Sequence, residues 1–165
     1  MYSTITEFIE EWKTEGDATQ KLFDALTDSS LGQQVSPNDR TLGGVAWHIV
    51  ETIPYSFFGI SEIASDSGTI PTTAKEIAEM FRNVRYAVLN TVSKLWSDAS
   101  LKEDRKLFGM NMPTEVSLQL IIKHLIHHRG QMTVLMRQAG LQVSGVYGPS
   151  REEWASTGME APKVQ

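Results

Sequence analysis

Residues 121–132 read "IIKHLIHHRGQM", and the placement of this stretch decides the fold. Three of the chain's four histidines fall here, in an otherwise apolar run. Advancing about 100° per residue along a helix from His124 puts His128 at about 40° and Gln131 at about −20°. Leu120, Ile121 and Leu135 lie within about 60° of the same direction. His124 and His128 therefore share the apolar face one turn apart, with Cβ atoms ~5–6 Å from each other. His127 falls at about −60°, on the edge of that face. The stretch predicts a long amphipathic helix, opened by Pro113 and Thr114 with Thr114 as cap and running to about Ala139. Gly140 is a natural residue to follow its end.

Two imidazoles side by side on an apolar face need something to organise them. Each neutral ring has one donor and one acceptor to satisfy, and leaving either unpaired costs ~1–3 kcal/mol. Protonating both would place like charges together in a medium of low dielectric. A divalent ion accepts a lone pair from each ring, and two histidines one helical turn apart are a known way to hold one. The spacing by itself is equally open to a surface cluster near a helix end, or to core histidines bonded to backbone and water. The fourth histidine, His48, lies upstream in "GGVAWHIVET", also among apolar residues. Neighbouring helices of a bundle are ~8–10 Å apart, so an inward His48 can meet an inward pair from another helix. Three histidine ligands would leave a coordination position for water or substrate, as in a catalytic site.

Working outward, three further stretches carry helical periodicity. Ile5, Phe8, Ile9, Trp12, Thr19, Leu22, Phe23 and Leu26 are spaced by threes and fours, and the helix they predict stops before Gly32. A loop, "LGQQVSPNDR", follows. The second helix starts near Thr41 and runs through Trp47, His48 and Glu51 toward Ile60, with a kink expected at Pro54. The third opens with a capping box, Thr73 and Glu76. Its stripe is Ile77, Met80, Phe81, Val84, Ala87, Val88, Thr91, Val92 and Leu95. The segment "LKEDRKLFGMNMP" reads as a loop, since nothing obvious pairs with "RKLFGM". Beyond Gly140, "LQVSGVYGPSREEW" is rich in turn residues; "SREEW" predicts a short terminal helix capped by Ser150, and "EAPKVQ" a frayed tail. The sum is an all-α chain: a single domain over residues 1–165, an antiparallel four-helix bundle with a short C-terminal extension. The first and third connections are longer than a minimal hairpin, so the handedness of the bundle is open.

Composition excludes several classes of function. A net charge of −5 gives no electrostatic footprint for nucleic acid. No apolar run approaches the ~20 residues of a membrane span. The start, "MYSTITEFIEEWK", lacks the basic and apolar regions of a secretory signal, so a cytoplasmic location is expected. Cysteine is absent. Any metal site must then use nitrogen and oxygen ligands, and any thiol chemistry must use a thiol from outside the chain.

"HLIHHRGQM", with "GGVAWHIVET" upstream and "MRQAGLQVSGVYGPSREEW" downstream, resembles the DinB family of the DinB/YfiT-like superfamily over nearly the whole chain. The resemblance implies a four-helix bundle, usually a homodimer, with a divalent metal at one end. Its three ligands map onto His48, His124 and His128, and His127 falls on a non-ligand position. The superfamily includes transferases and isomerases that use low-molecular-weight thiols. The expectation is thus a divalent-metal-binding protein, a metal-dependent enzyme transferring a small thiol to an electrophile. The alternative is a non-enzymatic dimeric metal-binding protein serving stress or small-molecule binding. Three imidazoles suit zinc, nickel, iron, manganese or copper. No catalytic residue is assigned. Gln131 shares the histidine face and is a candidate to orient a metal-bound water or to make a helix-packing contact. Glu51 follows His48 by about a turn and is a candidate to accept a hydrogen bond behind the ligand or carry a proton, or else a solvated surface carboxylate. Arg129 turns away and is expected to anchor the tail or a salt bridge. Trp47, Tyr55 and Phe58 are pocket or plain core. No Ser/His/Asp system, phosphate loop or strong carboxylate pair is evident.

Overall fold

The computed structural model describes residues 1–53, 71–107 and 110–163. Four helices dominate it: α1 (Ile5–Asp24), α2 (Leu42–Thr52), α3 (Ala74–Leu95) and α4 (Thr114–Gln138). Local chemistry fixes where they begin. Thr4 with Glu7, and Thr73 with Glu76, form reciprocal capping boxes on α1 and α3. The Thr41 hydroxyl accepts from the Gly44 N–H at the start of α2. Long-range carboxylates add to these caps. Asp28, in a 3-10 turn after α1, accepts from the Ala74 N–H of α3, and Asp98, in a 3-10 turn after α3, accepts from the Ile5 N–H of α1.

The predicted stripes face the core. Phe8, Trp12, Leu22, Phe23, Ile77, Phe81, Val84, Val88 and Val92 are all buried, and Phe23 stacks on Phe81 with ring centroids 4.3 Å apart. Leu95 and Leu120 are exceptions: Leu95 is the last residue of α3, and both stand exposed. Each helix packs against two others. α1 lies against α3 and α4, and α2 against the same pair, which makes the order around the bundle α1–α3–α2–α4. α1 and α3 run antiparallel, since Trp12 bonds the Arg85 carbonyl while Gln20 reaches back to that of Ala78. α2 and α4 are also antiparallel, with His48 beside His124 and Val45 sharing a cleft with Leu135. The chain must therefore cross the bundle diagonally between α1 and α2 and between α3 and α4, which accounts for the length of those two connections.

Three sequence expectations are corrected. The segment expected as a loop before α4 contains a hairpin, β1 (Asp104–Leu107) antiparallel to β2 (Met110–Pro113), with Asp104 opposite Pro113 and Leu107 opposite Met110. It is held on by burial of Leu107 and by Arg105, which lies 4.0 Å over the Trp96 ring. Thr114 does not cap α4. Both its N–H and its hydroxyl donate to the Glu103 carbonyl across the base of the hairpin, and Pro113 takes the cap position. Ser150 does not open a helix either. Residues 151–153 form a turn, and a 3-10 turn follows over Trp154–Thr157.

The end of α4 is as expected. Gly140 has φ +78°, Leu141 N–H donates to the Met136 carbonyl and Gly140 N–H to that of Arg137, which is a Schellman motif. The expected kink at Pro54, the continuation of α2 toward Ile60, and Tyr55 and Phe58 lie outside the described residues. Among the described residues no helix is long and apolar enough to cross a membrane.

Candidate metal centre

α2 and α4 position the histidines. His48 is flanked by buried Val45, Ala46 and Ile49, and His124 and His128 by buried Ile121, Leu125 and Leu135. Packing these apolar faces together brings the rings into one cluster. One ring nitrogen from each of His48, His124 and His128 lies within 4.8 Å of the other two. Ring centroids are 4.4 Å apart for His124 and His128, 4.6 Å for His48 and His128, and 5.2 Å for His48 and His124. The sequence-predicted trio is thus assembled as expected. His127 is exposed beside it, its ring centroid 4.8 Å from that of His128.

Hydrogen bonds orient two of the rings. His128 Nδ1 is 2.7 Å from Gln131 Oε1, and His48 Nδ1 is 3.1 Å from Thr52 Oγ1. The amide oxygen can only accept, so the proton of His128 sits on Nδ1 and its lone pair on Nε2. Gln131 then turns its NH2 toward His127 Nε2, 3.3 Å away. Gln131, expected to orient a metal-bound water or to pack against a helix, instead bonds the rings of His128 and His127. Glu51 is exposed, which matches the surface-carboxylate reading, and the ring of His48 is met by the neighbouring Thr52. A short hydroxyl reaches the ring within a single turn without burying a charge, whereas a carboxylate there would lose hydration.

The electrostatics favour neutral imidazoles. Burial holds His48 down to about 4, helped by the Arg40 and His128 charges. Burial likewise holds His124 down to about 4, with His128, His48, His127 and Arg40 adding to it. His128 is lowered by burial, against the opposing bond to Gln131. Neutral imidazole is the form in which histidine ligates a metal, and three such rings with a nitrogen each within 4.8 Å of the others fit one divalent ion.

A cleft of about 580 Å³ opens beside the cluster, lined by Val35, Asn38, Asp39, Arg40, Val45, His127, His128, Gln131, Val134 and Leu135. Arg40 and Thr52 are the site residues that sequence reasoning missed. The available signals were weak: Arg40 directly precedes the cap of the helix carrying His48, and Thr52 stands one turn beyond His48. Arg129 does both things expected of it. It is 2% exposed, pairs with Glu15 at 2.6 Å, and donates to Thr19 Oγ1 and to the Tyr147 hydroxyl of the tail, away from the histidines. Trp47 is plain core.

Helices in this order, with three histidines drawn from the second and fourth, define a class: four-helix bundles with a nitrogen-ligand cluster suited to a divalent metal. The chain belongs to the DinB family, whose model matches residues 1–163. It is 42% identical, over 167 aligned positions, to the uncharacterized protein YrdA of Bacillus subtilis strain 168, covering 99% of this chain and 100% of that one. Among solved structures it resembles a DinB-like protein from Bacillus cereus ATCC 10987, with a TM-score of 0.80 and 44% identity across 89% of this chain and 100% of the other. It shares its fold with the DinB-like protein YjoA of Bacillus subtilis, with a TM-score of 0.66 and 15% identity across 87% of this chain and 99% of that one.

Proposed function

We propose that this DinB-family protein holds a divalent ion on His48, His124 and His128 and transfers a small external thiol to an electrophile. The observation that carries the reading is the trio of clustered imidazoles, two of them oriented by hydrogen bonds, beside an open cleft. An ion held there supplies Lewis acidity, which lowers the pKa of a thiol and favours the nucleophilic thiolate. The chain's own residues do the rest. Gln131 and Thr52 fix ring orientation, the apolar faces of α2 and α4 keep the rings neutral, and the cleft admits the reactants. In the net reaction a carbon–sulfur bond forms, the thiol proton passes to solvent, and the displaced group leaves with the bonding electrons. With no cysteine in the chain, the sulfur must come from the substrate. A homodimer and a cytoplasmic location belong to the same proposal, the first checked by light scattering of purified protein.

The test is metal analysis of protein purified without a histidine tag, followed by thiol-conjugation assays on the loaded form. Near-stoichiometric metal that is lost in His124→Ala, with metal-dependent conjugation, is the expected result. Less than about a tenth of an equivalent, with no uptake on reconstitution, would overturn the metal reading. Tight metal without any thiol-dependent conjugation would leave a non-enzymatic metal-binding protein.

A further inference from the structure

We infer that the cleft beside the histidine cluster binds a carboxylate joined to a small apolar body, with the guanidinium of Arg40 on the carboxylate and Val35, Val134 and Leu135 against the body. This rests on the proposed site and names the class of substrate that enters it. Arg40 stands out among the chain's arginines. Arg82, Arg85, Arg129, Arg137 and Arg151 each pair with a carboxylate, and Arg105 lies over Trp96 and donates to Thr114. Among the described residues no carboxylate lies within ion-pair distance of Arg40, although the chain carries an excess of acidic groups. Its neighbour Asp39 also lines the cleft, but the Asp39 carboxylate accepts from the Ser36 hydroxyl at 2.7 Å.

The position of that cation is informative. Arg40 lines the same cleft as His128 and Gln131, so a ligand held on its guanidinium lies beside the histidine cluster. Arg40 is exposed at the mouth of that cleft, where its guanidinium is free to meet a ligand. It is suited to an anion that must lie next to the histidines. Guanidinium binds carboxylate through two parallel N–H bonds, which fixes direction as well as position. A single arginine with an aspartate beside it favours a singly charged carboxylate over a dianionic phosphate. Val35, Val134 and Leu135 line the same cleft, and Val35 and Val134 stand exposed there, so the apolar remainder of the ligand would cover them.

The test uses 4-phenylbutyrate and its neutral counterpart 4-phenylbutanol as probes. Each is titrated by NMR into the full chain as purified, with its metal content measured, and again after chelation. The carboxylate is expected to bind about tenfold more tightly than the alcohol in both preparations, the scale of one charge-assisted pair. Amides of residues 35–40 and 134–135 should move. Arg40→Ala should abolish the difference while leaving the alcohol's affinity unchanged, which also shows that the variant is folded. Arg40→Lys should keep part of it. Equal binding of the two probes, or a preference that survives Arg40→Ala, overturns the inference. A chain found to hold no metal defeats the metal reading alone, because the chelated arm still measures what Arg40 does.

Discussion

Gln131 shows how much one side chain adds to a histidine cluster. Its oxygen takes the Nδ1 proton of His128 and its nitrogen faces His127, so a single amide sets the tautomer of one ring and tethers another. Groups behind metal ligands typically contribute 10–100-fold in affinity. Gln131→Leu, similar in size but unable to accept, is expected to weaken binding of a divalent ion by about that factor. The melting temperature of the metal-free protein should move by only a few degrees. Competition against a chromophoric chelator measures the first and thermal unfolding the second; unchanged affinity would remove Gln131 from the site. The place of Gln131 on the histidine face was legible in the sequence from helical periodicity, but its bond to the His128 ring was not. Nor was Thr52, because periodicity places Glu51 and Thr52 almost equally well near His48, and only the coordinates show which of them reaches the ring.

At the scale of elements, the tail after α4 shows where sequence patterns stop. "GVYGPSREEW" reads as turn residues leading into a short helix at "SREEW", yet the Glu153 carboxylate closes it as a loop by accepting from the Gly145 and Ser150 N–H groups. A Cβ on Gly145 would meet the Gly148 carbonyl oxygen at 2.2 Å and Glu153 Oε2 at 2.4 Å, so no side chain fits there. Gly145→Ala should force the loop open, speed proteolysis within 145–153 and lower the melting temperature. Gly130 provides the contrast. It is exposed on α4 with nothing within 4 Å of an added Cβ, so Gly130→Ala should stabilise the protein by about 1 kcal/mol through helix propensity, read by denaturant titration. Two glycines fifteen positions apart are thus expected to respond with opposite signs, which composition alone does not show. The hairpin was missed for a related reason: four-residue strands carry too little alternation to register, and their pairing depends on Leu107 finding the core.

At the scale of the whole molecule, periodicity identified which face of each helix is apolar but not which neighbour covers it. The diagonal order α1–α3–α2–α4 is set by contacts between distant segments. One such contact is the buried pair Glu15–Arg129, which joins α1 to α4 and, through Tyr147, to the tail. Removing one member strands the other charge, so Arg129→Ala should cost about 3–5 kcal/mol in chemical denaturation, and a paired apolar replacement of both should recover much of it. The histidines impose a second global property, a dependence of stability on pH. In the unfolded chain they titrate near 6.5, while in the fold His48 and His124 are held down to about 4. Between those values the unfolded state binds more protons, so stability is fully present above pH 6.5 and falls as the pH drops toward 4. Glu152, held down to about 2 chiefly by its bond to Arg137, acts in a lower window: its contribution is present above the ordinary 4.5 and is lost below it. The melting temperature of the metal-free protein should therefore begin to fall near pH 6.5, before the carboxylates titrate, and His124→Asn should flatten that first decline. A bound ion should steepen it, because protons and metal compete for the same lone pairs. A melting temperature that stays level from pH 7 to 5 in the metal-free protein would show that the three rings are not held neutral by the fold.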